Sequence, residues 1–398
     1  MEEAGGPQGQ QDGGDGKQPE GERKAPSSWR CEFVYAALVF AVLGLFDPFG
    51  VSDLLRRYSQ SLANQIFGPD YPSTGQREIT VLLLTERTIE RHGGYWPVRM
   101  GVHADALSQV LDAEPAAVFV DLWFKDDARE DPTVADLARV LDLYNGMQIP
   151  VYLASRRNSD GERTRKELEG RAYEVWAPKV IDQRDRTAVV YPLHADRIGS
   201  EQPTAAMALY QSWVQENRPE LPPGGPPLYH AAIWRSAFPD DLHVIWGTRS
   251  SGVAHGGIAC KHLEEGVFSA LLTRLIGDPG HFLSDCPYTR TILLDDLTHY
   301  GDEDLEEAFA GKVVLYGAAP EGAVDLVAPP THASLPGVYL HAMALDNLIV
   351  WGEDYIREAD PSGWRARVFG LFELIALLVT VAVAVAGPVL FPLGWLGS

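Results

Sequence analysis

The chain has 398 residues, 22% of them charged and 45% hydrophobic, and its 33 Lys+Arg against 55 Asp+Glu leave a net charge of −22. That surplus of acid excludes nucleic acid as a partner, because phosphate binding depends on clustered Lys and Arg. The apolar fraction excludes a wholly disordered chain, and a mean hydropathy of −0.12 excludes a polytopic membrane bundle.

Residues 1–28 hold six acids, three bases and almost no apolar side chain. Such a segment cannot bury enough surface to offset its chain entropy, so a disordered acidic tail is predicted. Residues 29–51 follow, with an uncharged stretch of 14 residues from Phe33 to Phe46. Trp29 and Arg30 on one side and Asp47, Pro48 and Phe49 on the other extend it to the length of a membrane anchor. A secretory signal peptide also has a short apolar region. The acidic leader and the bulky residues where cleavage needs small ones argue against that reading.

Residues 52–367 are of mixed polarity and form the predicted large domain. Short strand-like runs recur at Ile79–Leu84, Ala117–Phe124, Pro150–Leu153, Ala188–Tyr191, His243–Trp246, Thr291–Leu294 and Lys312–Tyr316. Several are continuously apolar, as strands covered on both faces are. Helical patterns alternate with them at Val102–Leu111, Thr133–Leu143, Ala205–Glu216, Leu263–Ile276 and Leu340–Trp351. The expectation is an α/β fold, a largely parallel or mixed sheet flanked by helices. Pro219–Pro227 reads as a loop, Glu162–Arg171 as a solvated helix or loop, and residues 205–291 as an elaborated lobe. From Leu374 to Ser398 there are 25 residues without a charge, so 368–398 is read as a second, C-terminal transmembrane helix. Nearly all the acidity then belongs to the body between the anchors.

Catalytic signatures are missing. Gly247 to Gly252 has the wrong spacing for a nucleophile elbow, and Gly317 to Gly322 lacks the Lys and hydroxyl of a phosphate-binding loop. None of the 11 His falls in a compact metal-ligand spacing. No catalytic residue, metal or cofactor is therefore assigned, and the protein is not expected to be an enzyme. The three Cys include two in one region, Cys260 and Cys286. They read either as a disulfide, if the body lies outside the reducing cytosol, or as two buried thiols.

Two segments echo one another. Tyr95-Trp96-Pro97-Val98-Arg99 leads to His103-Ala104 at a helix start, then to the strand Ala117–Phe124, which contains Asp121. Gly311 to Gly317 leads through Asp325 and Leu335-Pro336-Gly337 to His341-Ala342 at another helix start. A His there is held neutral by the helix dipole and suits a ligand over the strand ends. Arg99, His103, Asp121, Asp325 and His341 are therefore candidate ligand-binding residues. The same residues also suit tight strand-to-helix turns and no more.

The order Asp53-x-x-Arg56, Trp96-Pro97-x-Arg99, His103-Ala104, Asp121-x-x-Phe124, Gly311-Lys312, Gly317, Asp325, Pro336-Gly337-Val338 and His341-Ala342-x-Ala344-x-x-Asn347-Leu348 resembles the type 2 CHASE domain, over residues 33–351. The resemblance implies a bacterial sensory module held outside the plasma (inner) membrane, both termini cytoplasmic, with a ligand it does not name. Members usually continue into further membrane helices and an output domain. The sequence stopping at Ser398 implies an output protein acting in trans, or a truncated chain. The implied function is a membrane-anchored receptor that relays a signal through its transmembrane helices, with homo-oligomerisation a further expectation. An envelope scaffold, a membrane effector of a defence pair and, last, a hydrolase using Asp121 with Asp325 are the alternatives.

Overall fold

The run Ile79–Thr85 is apolar at nearly every position because both of its faces are covered. In the computed structural model it is strand β1, one of six in a parallel sheet. The structure describes residues 60–357 apart from 62, 66, 126–129, 156–163, 179–187, 196–202, 218–230, 249–282, 285 and 322–324, all within one compact unit, Leu55–Phe369. The other main strands are β2 (Ala117–Val120), β3 (Val151–Ser155), β4 (Tyr173–Trp176), β7 (Arg290–Leu293) and β8 (Val313–Ala319). Their order is β4-β3-β2-β8-β1-β7, every neighbouring pair parallel.

Alternation along each strand divides the core in two. Ile79, Val81, Leu83, Phe119 and Leu315 face helices α4 (Ala205–Asn217) and α7 (Val338–Trp351). Leu82, Leu84, Val118, Val120 and Val314 face α2 (Met100–Leu111), α3 (Val134–Gly146) and α6 (Asp302–Phe309). The crossovers from β1 to β2, β2 to β3 and β7 to β8 all step the same way along the sheet with their helices on one face. They therefore share one hand, as the strong preference for right-handed crossovers requires.

Helix α7 is buried from Val338 through Ile349, as a helix enclosed on all sides must be. It lies against α4, β1 and β8. Gly317 makes the approach possible, since a Cβ there would sit 2.6 Å from Val338 Cβ. β8 runs on through Gly317 to Ala319, past the predicted end at Tyr316.

Two other runs also behave differently from the sequence reading. Val190–Tyr191 (β5) and Leu242–His243 (β6) stand apart from the main sheet and pair antiparallel with each other. The residues after β6 are held by a side chain instead: Asn347 of α7 accepts from Ile245 N at 2.9 Å and donates to Ile245 O at 3.0 Å. An amide side chain thus replaces a neighbouring strand. Short helices α1 (Glu86–Arg91) and α5 (Ala231–Ala237), with α6, complete the described helices named here.

Helix α4, inside the segment read as a lobe, packs directly on the sheet with Ala205 through Val214 buried. The predicted helix Leu263–Ile276, residue Cys260 and both anchor segments, 29–51 and 368–398, lie outside the described residues. Among the described residues no helix is long and apolar enough to cross a membrane.

Candidate functional site

Parallel strands bring the same ends of consecutive elements together, and loops gathered over their carboxyl ends form the usual ligand crevice of such sheets. A cleft of about 470 Å³, part of it open to solvent, lies there, with Asp121, Trp123, Ala177, Asp325, Gly337 and His341 among its lining residues. Asp121 directly follows β2, and its amide still donates to Tyr316 O of β8 at 2.8 Å. Beyond it the chain alternates across the sheet end. Asp121 and Trp123 line the cleft, while Leu122 and Phe124 turn into the core beneath α2.

Asp325 arrives from the other side. It precedes β9 (Leu326–Val327), which pairs antiparallel with β10 (Leu335–Pro336). That hairpin folds Gly337 back on Asp325, with Gly337 N donating to Asp325 O at 2.9 Å. A Cβ on Gly337 would lie 2.9 Å from Asp325 Cγ, so glycine is what lets the carboxylate rest against the N-terminus of α7. The positive end of that helix favours the negative charge.

His341, the fourth residue of α7, completes the group. It is 3% exposed. Its Nδ1 lies 2.8 Å from the Tyr191 hydroxyl, which accepts a hydrogen bond from Ala206 N, and Phe119 meets the ring edge to face at 5.3 Å. Burial lowers its pKa to about 4 although Asp325 pulls the other way, so the ring is neutral near pH 7. Its Nε2 lies 3.8 Å from Asp121 Oδ1, beyond hydrogen-bond length. That carboxylate favours the proton on Nε2, leaving Nδ1 to accept from Tyr191. The result is an N–H donor facing the cleft with no hydrogen-bond acceptor among the described residues.

The five predicted ligand residues therefore separate. Asp121, Asp325 and His341 come together at the cleft. Arg99 is exposed on the loop before α2 and does not line it. His103 is the fourth residue of α2, on the opposite face of the sheet. It repeats the chemistry of His341 there: Nδ1 is 2.7 Å from the Tyr316 hydroxyl, Phe124 lies 5.2 Å away, and burial again brings the pKa to about 4. Cys286 is buried and disulfide-bonded.

Several residues of the site gave little sequence signal. Tyr191 sits in a short apolar run, and nothing in its spacing pairs it with a His 150 positions on. Trp123 was legible only as the neighbour of Asp121. Away from the cleft, Asp346 of α7 is fully buried and accepts from the Tyr71 hydroxyl at 2.7 Å, and Gly75 is small enough to sit against it. Burial raises its pKa to about 8. Among the described residues no group of three or more His, Cys, Asp or Glu is placed to hold a metal ion.

Searches of the curated proteins and of the solved structures returned no match. A family model, the CHASE2 domain, matches residues 36–386, which takes in the whole sheet, the cleft and α7. The chain belongs to the CHASE2 family of sensory extracellular domains.

Proposed function

We propose that the protein is a receptor whose body stands outside the membrane and binds a small ligand in the cleft of Asp121, Asp325 and His341. In this reading it turns over no substrate. Occupancy of the cleft shifts α7 relative to the ends of β2 and β8, and the shift passes through the segments 29–51 and 368–398 to a membrane or cytoplasmic signalling partner.

The observation that carries the reading is His341 Nε2, which faces a cleft from a side chain otherwise enclosed and oriented by Tyr191. Buried polar groups are nearly always paired, and a donor left facing a crevice suits a ligand's acceptor. The family's sensory character and the disulfide at Cys286, a bond that persists in oxidising compartments, support the extracellular placement. Helix α7 is a suitable relay because it touches the cleft at His341 and the core at every turn to Ile349. Packed elements of this kind move between discrete arrangements.

The test fills the cleft. Ala177→Trp places an indole into it from a half-buried position. In the full chain in lipid nanodiscs, spin-labelled amino acids at Ser52 and Arg365 should show a changed distance distribution in this variant. An unchanged distribution in a variant of native thermal stability would overturn the relay.

A further inference from the structure

Helix α7 meets the stretch that leads into β1 at a buried polar joint. The Tyr71 hydroxyl donates to Asp346 Oδ1 at 2.7 Å and accepts from Asn347 Nδ2 at 3.1 Å. The 3-10 turn Gly75–Arg77 closes over the same carboxyl, since a Cβ on Gly75 would lie 2.6 Å from Oδ1 and 2.9 Å from Oδ2. Tyr288 and Trp351 meet the Tyr71 ring edge to face, at 5.4 and 5.3 Å. Asp346 is fully buried, and its Oδ2 has no hydrogen-bond partner among the described residues. The two sides of the joint belong to different parts of the chain. Tyr71 and Gly75 stand between residues 29–51 and β1, and Asp346 stands on the last helix before residues 368–398.

The titratable groups that face Asp346 are Tyr71 and Tyr288. Burial first, and Asp346 itself, raise the pKa of each, so both stay neutral. The other elements against α7 bring no charge to the joint. β1, β8 and β10 present apolar side chains such as Ile79, Leu315 and Leu335. Glu78, beyond the turn, accepts from Trp213 of α4, and Tyr210 of α4 lies farther along, by Gly352. Arg77, Glu353 and Asp354 are exposed, and on α7 itself His341 is bonded to Tyr191. An ionised Asp346 would thus hold its charge out of water with one neutral donor for two oxygens. Burial raises its pKa to about 8, and the Tyr71 hydrogen bond, which favours the charged form, offsets part of that. In water the same carboxyl ionises near ~3.9.

We propose that the protein reads the pH of its surroundings as an input separate from the cleft: protonated, Asp346 keeps the stretch Tyr71–Arg77 seated on α7, and ionised, it releases that stretch. Seated, the carboxyl is buried and keeps its proton. Released, it faces water and gives the proton up. The released population therefore grows about tenfold per pH unit above the ordinary carboxyl range. The growth levels off above about pH 8, where the seated form ionises as well. Local opening of this kind is available to any packed segment; here a single proton biases it.

The experiment follows the full chain in lipid nanodiscs against pH by two readouts, neither of which involves a ligand or the cleft. Infrared spectra should show a carbonyl band of an un-ionised carboxyl that is absent in Asp346→Asn and vanishes as pH rises through about 8. Hydrogen exchange at Tyr71, Gly75 and Gln76, corrected for the intrinsic rate, should quicken about tenfold per pH unit up to that point. Asp346→Asn, which copies the shape of the protonated carboxyl, should lose this dependence. Tyr71→Phe removes the donor to the carboxylate and should carry both transitions to higher pH, whereas a purely structural role for Tyr71 would leave their pH unchanged. If Asp346→Asn fails to fold, Tyr71→Phe decides alone. A band lost already near the ordinary carboxyl value of ~3.9, or one that persists in Asp346→Asn, overturns the proposal. Exchange with the same pH dependence in the native chain and in Asp346→Asn overturns it too.

Discussion

The Tyr191 hydroxyl and His341 Nδ1 stand 2.8 Å apart across 150 residues of sequence, and this bond sets which edge of the imidazole faces the cleft. On the other side of the sheet Tyr316 and His103 make the same contact at 2.7 Å. The first pair lies at the cleft, which His341 lines. Tyr191→Phe should remove two buried hydrogen bonds, to His341 Nδ1 and from Ala206 N, and leave both nitrogens unmatched, lowering stability by about 2–4 kcal/mol. Urea unfolding measures that loss. The ¹⁵N shifts of His341 should also move, because the ring loses its preference between tautomers; unchanged shifts would show that Tyr191 does not orient it.

Asn347 should be among the costliest polar residues to remove. Its side chain holds both Ile245 N and Ile245 O, and it also donates to the Met343 carbonyl. Asn347→Ala strands the two Ile245 groups in the core and should cost roughly 2–4 kcal/mol. Hydrogen exchange at Ile245 and Trp246 should rise well ahead of exchange in β1. Equal protection in variant and native protein would mean that the segment is held by something else.

Gly317→Ala tests the contact between β8 and α7. The added Cβ would lie 2.6 to 2.9 Å from the three outer carbons of Val338, so helix or strand must move, at a cost of about 1–3 kcal/mol. Val338→Ala in the same chain should recover part of that loss, because it removes two of the carbons in conflict. Absence of any recovery in the double variant would place the strain elsewhere.

Stability should pass through a maximum near neutral pH. His103, His332 and His341 have folded pKa values lowered to about 4 by burial, against about 6.5 when unfolded. Between these values the unfolded chain binds more protons, so stability rises with pH across that window and is lost as pH falls through it. Asp346 behaves oppositely. Burial raises its folded pKa to about 8, so the folded state holds the extra proton and its contribution is lost as pH rises through that value. Unfolding midpoints from pH 4 to 9 should therefore climb and then fall. In Asp346→Asn the fall on the alkaline side should flatten while the acid side remains.

Much of the sheet was legible from the chain itself. Ile79–Thr85, Val151–Ser155 and Val313–Ala319 are continuous apolar runs of strand length, and burial on both faces leaves such runs no other place in an α/β fold. Tyr173–Trp176 escaped notice because this edge strand is only partly buried, with Tyr173, Glu174 and Trp176 each half-covered. Asp302–Phe309 escaped because its acidic first turn leaves Leu305, Ala308 and Phe309 alone in that helix to pack on the core.

Local chemistry in the sequence determined the elements and the candidates. Hydrophobic period set strands and helices, and Pro and Gly punctuation placed Asp121, Asp325 and His341 at turns. Two histidines in like settings, His103 and His341, were equivalent at that level, since each starts a helix after a Gly- or Pro-rich turn. The tertiary structure separated them. Strand order and crossover hand put α2 and α7 on opposite faces of one sheet, and the cleft described lies on the α7 face. Which acids meet which His depends on contacts spanning more than two hundred residues, from Asp121 to His341. No local pattern encodes them, because they arise only when the whole sheet is assembled.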